Sequence, residues 1–540
     1  MVVGVAVGVG RGNSSSSGTG SSSGEISTST KMIKTICQPT DYKQACEDSL
    51  NSAHPNTSDP KELIRIGFQV TVKSINEAIE NSTTLKELAK DKRTSGALAV
   101  CKDLMNDAID DLQKSFDHLG DFDITKLDDY VEDLKVWLSA SYTYEETCID
   151  AFENTTGDAG ERMKKILETS RHLTANALSM VDGLASMLKD LSIPNMSRRL
   201  LSEDEMPSWV HPGRRSLLQA TPANIKADLI IAKDGSGKYK TFSEAMKDIP
   251  IKSQKTFVIY LKAGVYEETV LFNKSMTNIM LIGDGPTKSK ITFNKNFIDG
   301  TNTVNTSTVT VQGANFMAKN IGFENSAGAA KHQAVALRVA ADMAIFYNCQ
   351  MDGYQDTLYT HTGRQFYRDC LVSGTIDFIF GNGVVVFQNC KMVVRKPLEN
   401  QQCLVTAHGR ALQTDPTGLV LQNCVISGDP AYIPVKDQNK AYLGRPWKTY
   451  ARTIIMQSQI DDIIAPEGWF PWMGTFALDT CFYAEYQNRG AGAATTKRVT
   501  WRGIKHITPD HIVDFTPARF IAGDLWVKPT GVPYVSGMMT

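Results

Sequence analysis

Tyr367-Arg368-Asp369-Cys370-Leu371-Val372-Ser373-Gly374 is one line of a repeated phrase. Tyr347-Asn348-Cys349-Gln350-Met351-Asp352-Gly353 precedes it, and Phe387-Gln388-Asn389-Cys390-Lys391-Met392 and Leu421-Gln422-Asn423-Cys424-Val425-Ile426-Ser427-Gly428 follow. The cysteines advance by 21, 20 and 34 residues. Short apolar runs with Asn, Asp and Gly between them, at a period near 20, are the mark of a β-solenoid; the long step is a loop insertion. No helical stretch separates the runs, which excludes a doubly wound sheet, and a β-sandwich needs no fixed rung length. Residues 223–540 are therefore expected to form an all-β right-handed parallel β-helix.

The period places side chains. Residues one rung apart lie on neighbouring parallel strands, about 4.8 Å from each other. Cys370 and Cys390 fall one rung apart, with Cα atoms within reach of a disulfide. Asp356 and Asp377 are 21 residues apart, and Gln333 lies 22 before Gln355. Two amides and two carboxylates thus line up on successive rungs. Adjacent carboxylates do not both ionise cheaply, so one keeps a proton while a nearby cation selects the other as the anion. Such a pair suits a nucleophile and a general acid, with the amides as oxyanion donors. A single Asp or Gln in a solenoid is ordinarily a turn residue. Four on matching rungs, within Gly353-Tyr354-Gln355-Asp356-Thr357-Leu358-Tyr359 and Asp377-Phe378-Ile379-Phe380-Gly381, point to a site.

Upstream the texture changes. Residues 31–190 carry apolar residues in steps of three and four: Leu63, Ile66 and Val70; Leu98, Cys101, Met105, Ala108 and Leu112; Val131, Leu134 and Leu138. That spacing predicts an all-α four-helix bundle. Cys37 and Cys46 would staple a local hairpin, and Cys101 and Cys148 would tie two helices. Residues 191–222 hold Pro194, Pro207, Pro212 and Pro222 and two dibasic clusters, Arg198-Arg199 and Arg214-Arg215, as expected of a processing linker open to proteases. Residues 1–30 read as a remnant of a signal or anchor segment followed by a Ser/Gly tail. Seven Asn-x-Ser/Thr acceptors, at Asn13, Asn56, Asn81, Asn154, Asn195, Asn273 and Asn305, agree with a secreted glycoprotein.

The 540 residues exceed one ordinary core, and their net charge of −2 hides an uneven split. Residues 31–190 hold 19 basic and 29 acidic side chains, and residues 223–540 hold 33 and 26. The C-terminal region suits a polyanion and the N-terminal region a basic partner. Charge alone does not choose between nucleic acid and an acidic polysaccharide. There is no CxxC pair, no H-E-x-x-H and, outside the Ser/Gly tail, no G-x-S-x-G elbow, and Ala232-Lys233-Asp234-Gly235-Ser236-Gly237-Lys238-Tyr239 fails as a phosphate loop because Tyr239 stands at its Ser/Thr position. No metal or cofactor is expected.

Together with Gly264-Val265-Tyr266-Glu267-Glu268, Gln333-Ala334-Val335-Ala336-Leu337-Arg338 and Leu443-Gly444-Arg445-Pro446-Trp447, the two Asp blocks resemble the plant pectin methylesterases. The helical region resembles the inhibitor-like pro-region that precedes some of them. The resemblance implies Asp377 as nucleophile, Asp356 as acid and later base, and Gln333 and Gln355 as oxyanion stabilisers. It implies that Arg445 orients Asp377, Trp447 stacks on a sugar ring and Thr303 touches substrate, and it too implies a Cys370–Cys390 disulfide. Pairings for Cys349, Cys403, Cys424 and Cys481 stay open. The implied function is removal of methyl esters from cell-wall homogalacturonan by a secreted enzyme, with protein inhibitors and a processing protease as partners. The enzyme would be a monomer after processing, reach the wall from a soluble or membrane-anchored precursor, and have no nucleic-acid partner. Two other readings stand beside it: a polyuronate lyase on the same solenoid, and a non-enzymatic inhibitor or wall-binding protein acting through its helices.

Overall fold

Asn348, Asp369, Asn389 and Asn423 each stand immediately before one of the repeated cysteines, and all four have φ between 49° and 57°. Asn and Asp tolerate this left-handed conformation because a short polar side chain can bond locally. Repeating it turns the chain by the same angle on every rung. The side chains also form a ladder: the Asn348 amide donates to Asn320 at 2.7 Å and that of Asn423 to Asn389 at 2.8 Å.

A computed structural model describes residues 28–88, 91–120, 127–190 and 225–540. From Leu229 onward the strands sort into three wholly parallel sheets of 11, 8 and 7 strands; the two smaller sheets take every third strand in chain order, and so does the largest between its second and ninth strands. That is a parallel β-helix. The registers reproduce the sequence period: Gln350 pairs with Leu371, Leu371 with Lys391, and Lys391 with Val425. Inside, Phe346, Tyr367 and Phe387 stack with centroids 5.0 and 4.5 Å apart. The stacked residue of the first rung is thus Phe346, three before its cysteine, and Tyr347 faces outward.

The expected Cys370–Cys390 bridge is absent; both are buried free thiols, as are Cys349, Cys403, Cys424 and Cys481. In an in-register parallel ladder the side chains point the same way, at the strand spacing of about 4.8 Å. A disulfide wants Cβ atoms about 3.5–4.5 Å apart and facing each other, so near Cα atoms are not enough. The thiols instead bond down the stack: Cys370 donates to the Phe346 carbonyl at 3.3 Å and Cys390 to that of Tyr367 at 3.4 Å.

The helical unit packs four long helices in a ring: α3 (Pro60–Leu88), α4 (Lys92–Gly120), α5 (Leu127–Asp150) and α7 (Glu168–Asp190). A hairpin of α1 (Thr28–Cys37) and α2 (Lys43–Ser52) leads in, and α6 (Ala159–Ile166) precedes α7. Cys37–Cys46 and Cys101–Cys148 are disulfides, as expected. On α3 the buried stripe is Leu63, Ile64, Phe68 and Ile75, with Ile66 and Val70 only half-buried. The helix is rolled so that Gly67 meets the end of Met180, whose methyl would lie 3.0 Å from a Cβ there. The expected signal or anchor remnant in residues 1–27 and the expected processing linker with Arg198, Arg199, Arg214 and Arg215 lie outside the described residues. Among those described, no helix is long and apolar enough to cross a membrane.

Candidate active site

The site lies on the seven-stranded sheet, whose strands in chain order are β1 (Val270–Phe272), β2 (Val309–Val311), β3 (Leu337–Val339), β4 (Leu358–Thr360), β5 (Ile379–Gly381), β6 (Cys403–His408) and β7 (Ala441–Pro446). Strand alternation sends Leu337, Leu358 and Ile379 into the solenoid core. Their neighbours Arg338, Tyr359, Phe380, Ala407 and Arg445 form one outward row by register. Tyr359 and Phe380 stack at 4.2 Å, and Trp447, just past β7, meets Phe380 edge-on at 5.9 Å.

Asp356 and Asp377 each stand two residues before a strand of this row, with φ of 64° and 50°. The strained left-handed turn aims both carboxyls over the row, and Asp is among the few residues that accept it. Because Leu358 pairs with Ile379, the two lie on adjacent rungs. Arg445 grips Asp377 in a bidentate pair, Nε to Oδ1 at 2.9 Å and Nη2 to Oδ2 at 2.6 Å, and its guanidinium lies 4.2 Å from the Trp472 ring centroid. Both carboxyls are nearly buried, Asp356 at 8% and Asp377 at 5% exposure. Burial, then the neighbouring Asp377 charge, pushes the Asp356 carboxyl well above its ordinary range. Burial also raises Asp377, but Arg445 opposes it by charge and hydrogen bonds. Asp356 is therefore the partner that holds a proton and Asp377 the anion.

These residues, with Gln333, Gln355, Thr303 and Trp447, line one cavity of about 200 Å³. Every candidate catalytic and substrate-binding residue from the sequence is present. Gln333 is one position off strict register, since the Ala334 amide, not that of Gln333, donates to the Gln355 carbonyl. Phe297, Asn302, Val304 and Trp472 complete the β-helix wall. Only the aromatic run Trp469-Phe470-Pro471-Trp472 could have pointed to Trp472 beforehand.

The rest of the wall comes from the helical unit: Thr147, Asp150, Ala151 and Glu153 line the same cavity. Helix α5 follows the turns beyond the sheet, from Asp133 on Arg364 (2.7 Å) and Trp137 on Asp342 (3.0 Å), past Tyr144 on Thr362 and Thr147 on His361, to Asp150 on Lys448 (2.7 Å). At the other end, α4 sets Asp107 and Asp111 on Lys274 at 3.8 and 3.3 Å. Sandwiched between its own bundle and the β-helix, α5 is buried on nearly every side between Val131 and Cys148.

Residues 228–524 match the family described as pectinesterase, and residues 31–180 that described as plant invertase/pectin methylesterase inhibitor. The chain is 52% identical over 516 residues to "Putative pectinesterase/pectinesterase inhibitor 28" of Arabidopsis thaliana, covering 96% of this chain and 70% of that one. It is 52% identical to "Probable pectinesterase/pectinesterase inhibitor 58" of the same plant, covering 95% and 91%. Among solved structures, the pectin methylesterase from carrot is 50% identical with a TM-score of 0.57, covering 58% of this chain and 99% of its own.

Proposed function

The chain belongs to the pectinesterase family, and from that premise we propose that it hydrolyses the methyl esters of pectin to carboxylate and methanol through Asp377 and Asp356. The observation that carries this is the bidentate Arg445–Asp377 pair beside a carboxyl that keeps its proton. The Asp377 carboxylate attacks the C6 carbonyl carbon of a methylated galacturonate, while the Gln333 and Gln355 amides bind the developing oxyanion. The intermediate collapses as Asp356 gives its proton to the departing methoxide, leaving an acyl anhydride on Asp377. Asp356, now a base, takes a proton from water, whose oxygen breaks the anhydride and restores both carboxyls. Trp447 stacks on a sugar ring and Thr303 bounds the substrate.

The family match favours this esterase over a lyase. The helical unit acts as a cover, since the end of α5 occupies part of the cavity, and cutting at Arg198-Arg199 or Arg214-Arg215 would let it leave. Cell-wall secretion, monomeric action after processing and response to separate inhibitor proteins belong to the same reading. Residues 223–540 should release methanol from methylated pectin without forming an unsaturated, ultraviolet-absorbing product. The unsaturated product without methanol would replace the esterase by a lyase.

A further inference from the structure

Lys448 directly follows Trp447 at the rim of the cavity, its Nζ 5.3 Å from the indole centroid. Its side chain is only 19% exposed, yet both of its carboxylate partners belong to the cover: Glu146 at 3.3 Å and Asp150 at 2.7 Å. Among the described residues no β-helix carboxylate pairs with it. Once the cover leaves, the ammonium loses both carboxylates and stands beside the sugar-stacking tryptophan, open to another anion. The arrangement occurs twice, because Lys274 at the far end of the sheet is held by Asp107 and Asp111 of α4. In each case the two acids are four residues apart, about 6 Å along one helix face. The cover thus presents rows of carboxylates to a surface that handles a polyuronate. A methyl ester is neutral and offers an ammonium little; a free uronate carboxylate offers a full charge.

We propose that Lys448 is a specificity-determining residue that binds an already de-esterified uronate next to the unit stacked on Trp447, and that Glu146 and Asp150 imitate that carboxylate in the covered chain. This rests on the esterase reading. The enzyme then prefers partly demethylated stretches, and its own product competes with the cover for Lys448.

The test compares Lys448→Gln and Lys448→Arg in residues 223–540; 58% of this chain matches 99% of the carrot pectin methylesterase, and residues 228–524 by themselves carry the pectinesterase match. On half-esterified pectin Lys448→Gln should lose about tenfold in kcat/KM, mostly through KM, as expected for one lost charge-assisted contact. The loss on nearly fully esterified pectin should be clearly smaller, and Lys448→Arg should recover most of it. Equal losses on both substrates, or none, would overturn the proposal. A measurement on the wild type does not depend on the variants folding: unesterified oligogalacturonate should shield Lys448 from an amine-acetylating reagent, read by mass spectrometry. Equal labelling with and without the oligomer would also overturn it. A wild-type domain that releases no methanol would sink the esterase reading instead, while the labelling still judges the contact.

Discussion

The helical unit contains four cysteines and all four are bridged; the β-helix contains six and none is. Both units bury their cysteines, so burial does not separate them. Direction does. Helices packed side by side turn their side chains toward one another, and Cys101 and Cys148 meet with Cα atoms 4.5 Å apart. Parallel strands in register turn them the same way, which makes columns in place of bridges. The columns also build the site, because the geometry that stacks Cys349, Cys370 and Cys390 places Asp356 beside Asp377. A solenoid can set two like charges on adjacent rungs; the bundle contributes acids only as spaced rows along a helix. One unit concentrates charge for chemistry and the other distributes it for docking.

The sharpest way to break this contrast is to remove a carboxylate from each side of the shared cavity. Asp377→Asn should cost residues 223–540 at least about 10³-fold in methanol release, since loss of a nucleophile that acts as part of a unit removes nearly the whole rate enhancement. The change is nearly isosteric, so the folded circular dichroism spectrum should persist. Residual turnover of a few per cent would reject Asp377 as nucleophile. Glu146→Gln, on the cover's side, should act in the opposite direction. By giving up its pair with Lys448 at 3.3 Å, where the carboxylate is held below its ordinary range by Lys448 and Arg171, it should raise the activity of the uncut chain severalfold.

Reductant should divide the units next. The bridges close separations of 9 and 47 residues, and a native disulfide typically contributes about 2–4 kcal/mol. Calorimetry of the full chain with a phosphine reductant should therefore move the helical transition down by roughly 10 °C and leave the β-helix transition in place. An equal fall in both would mean that the β-helix depends on a bridge after all. Thiol titration of the denatured, unreduced chain should count six.

How far this was legible depends on whether a feature repeats. Rung length, the Asn and Asp turns and the adjacency of Asp356 and Asp377 could all be read from spacing, because a solenoid turns sequence distance into position. The Cys370–Cys390 bridge failed because spacing fixes Cα proximity and not the direction of Cβ. The α3 stripe was read one position away from its true face, since nothing local shows where Met180 leaves room for Gly67. The Arg445–Asp377 grip spans 68 residues and two loop insertions, so it entered through resemblance alone. Lys448, Asp150 and Glu153 escaped entirely. They meet only because one domain docks on another, and no period within either announces that.

The smallest expected effect concerns how acid changes that docking. Asp107 faces Lys274, Gln312 and Arg338 across the interface and Asp110 and Asp111 on its own helix. Burial outweighs the two cations and raises its carboxyl from 3.8 to about 6. Burial likewise raises Asp111 and Asp150. A carboxyl raised in the docked state penalises docking while it is ionised, and the penalty fades as pH falls through about 6. Glu146 has the opposite sign: Lys448 and Arg171 outweigh its burial and lower it, so its contribution fails only below the ordinary glutamate range. For Asp107, linkage for one group moving from 3.8 to about 6 gives roughly fourfold tighter docking at about pH 5.5 than at about pH 7.5, opposed by His361 beneath Thr147, which burial and then the Arg338 charge hold neutral. In chain cut within residues 191–222, the concentration of helical unit that halves methanol release should fall by up to that factor, after correction for the pH dependence of the free enzyme. Asp107→Asn cannot ionise, so at about pH 7.5 it should dock more tightly than the wild type does even at about pH 5.5, where the free carboxyl must still take up a proton, and it should lose the part of the pH dependence that Asp107 supplies. A wild-type cover that loosens as pH falls over this range would show that the raised carboxyls do not govern docking.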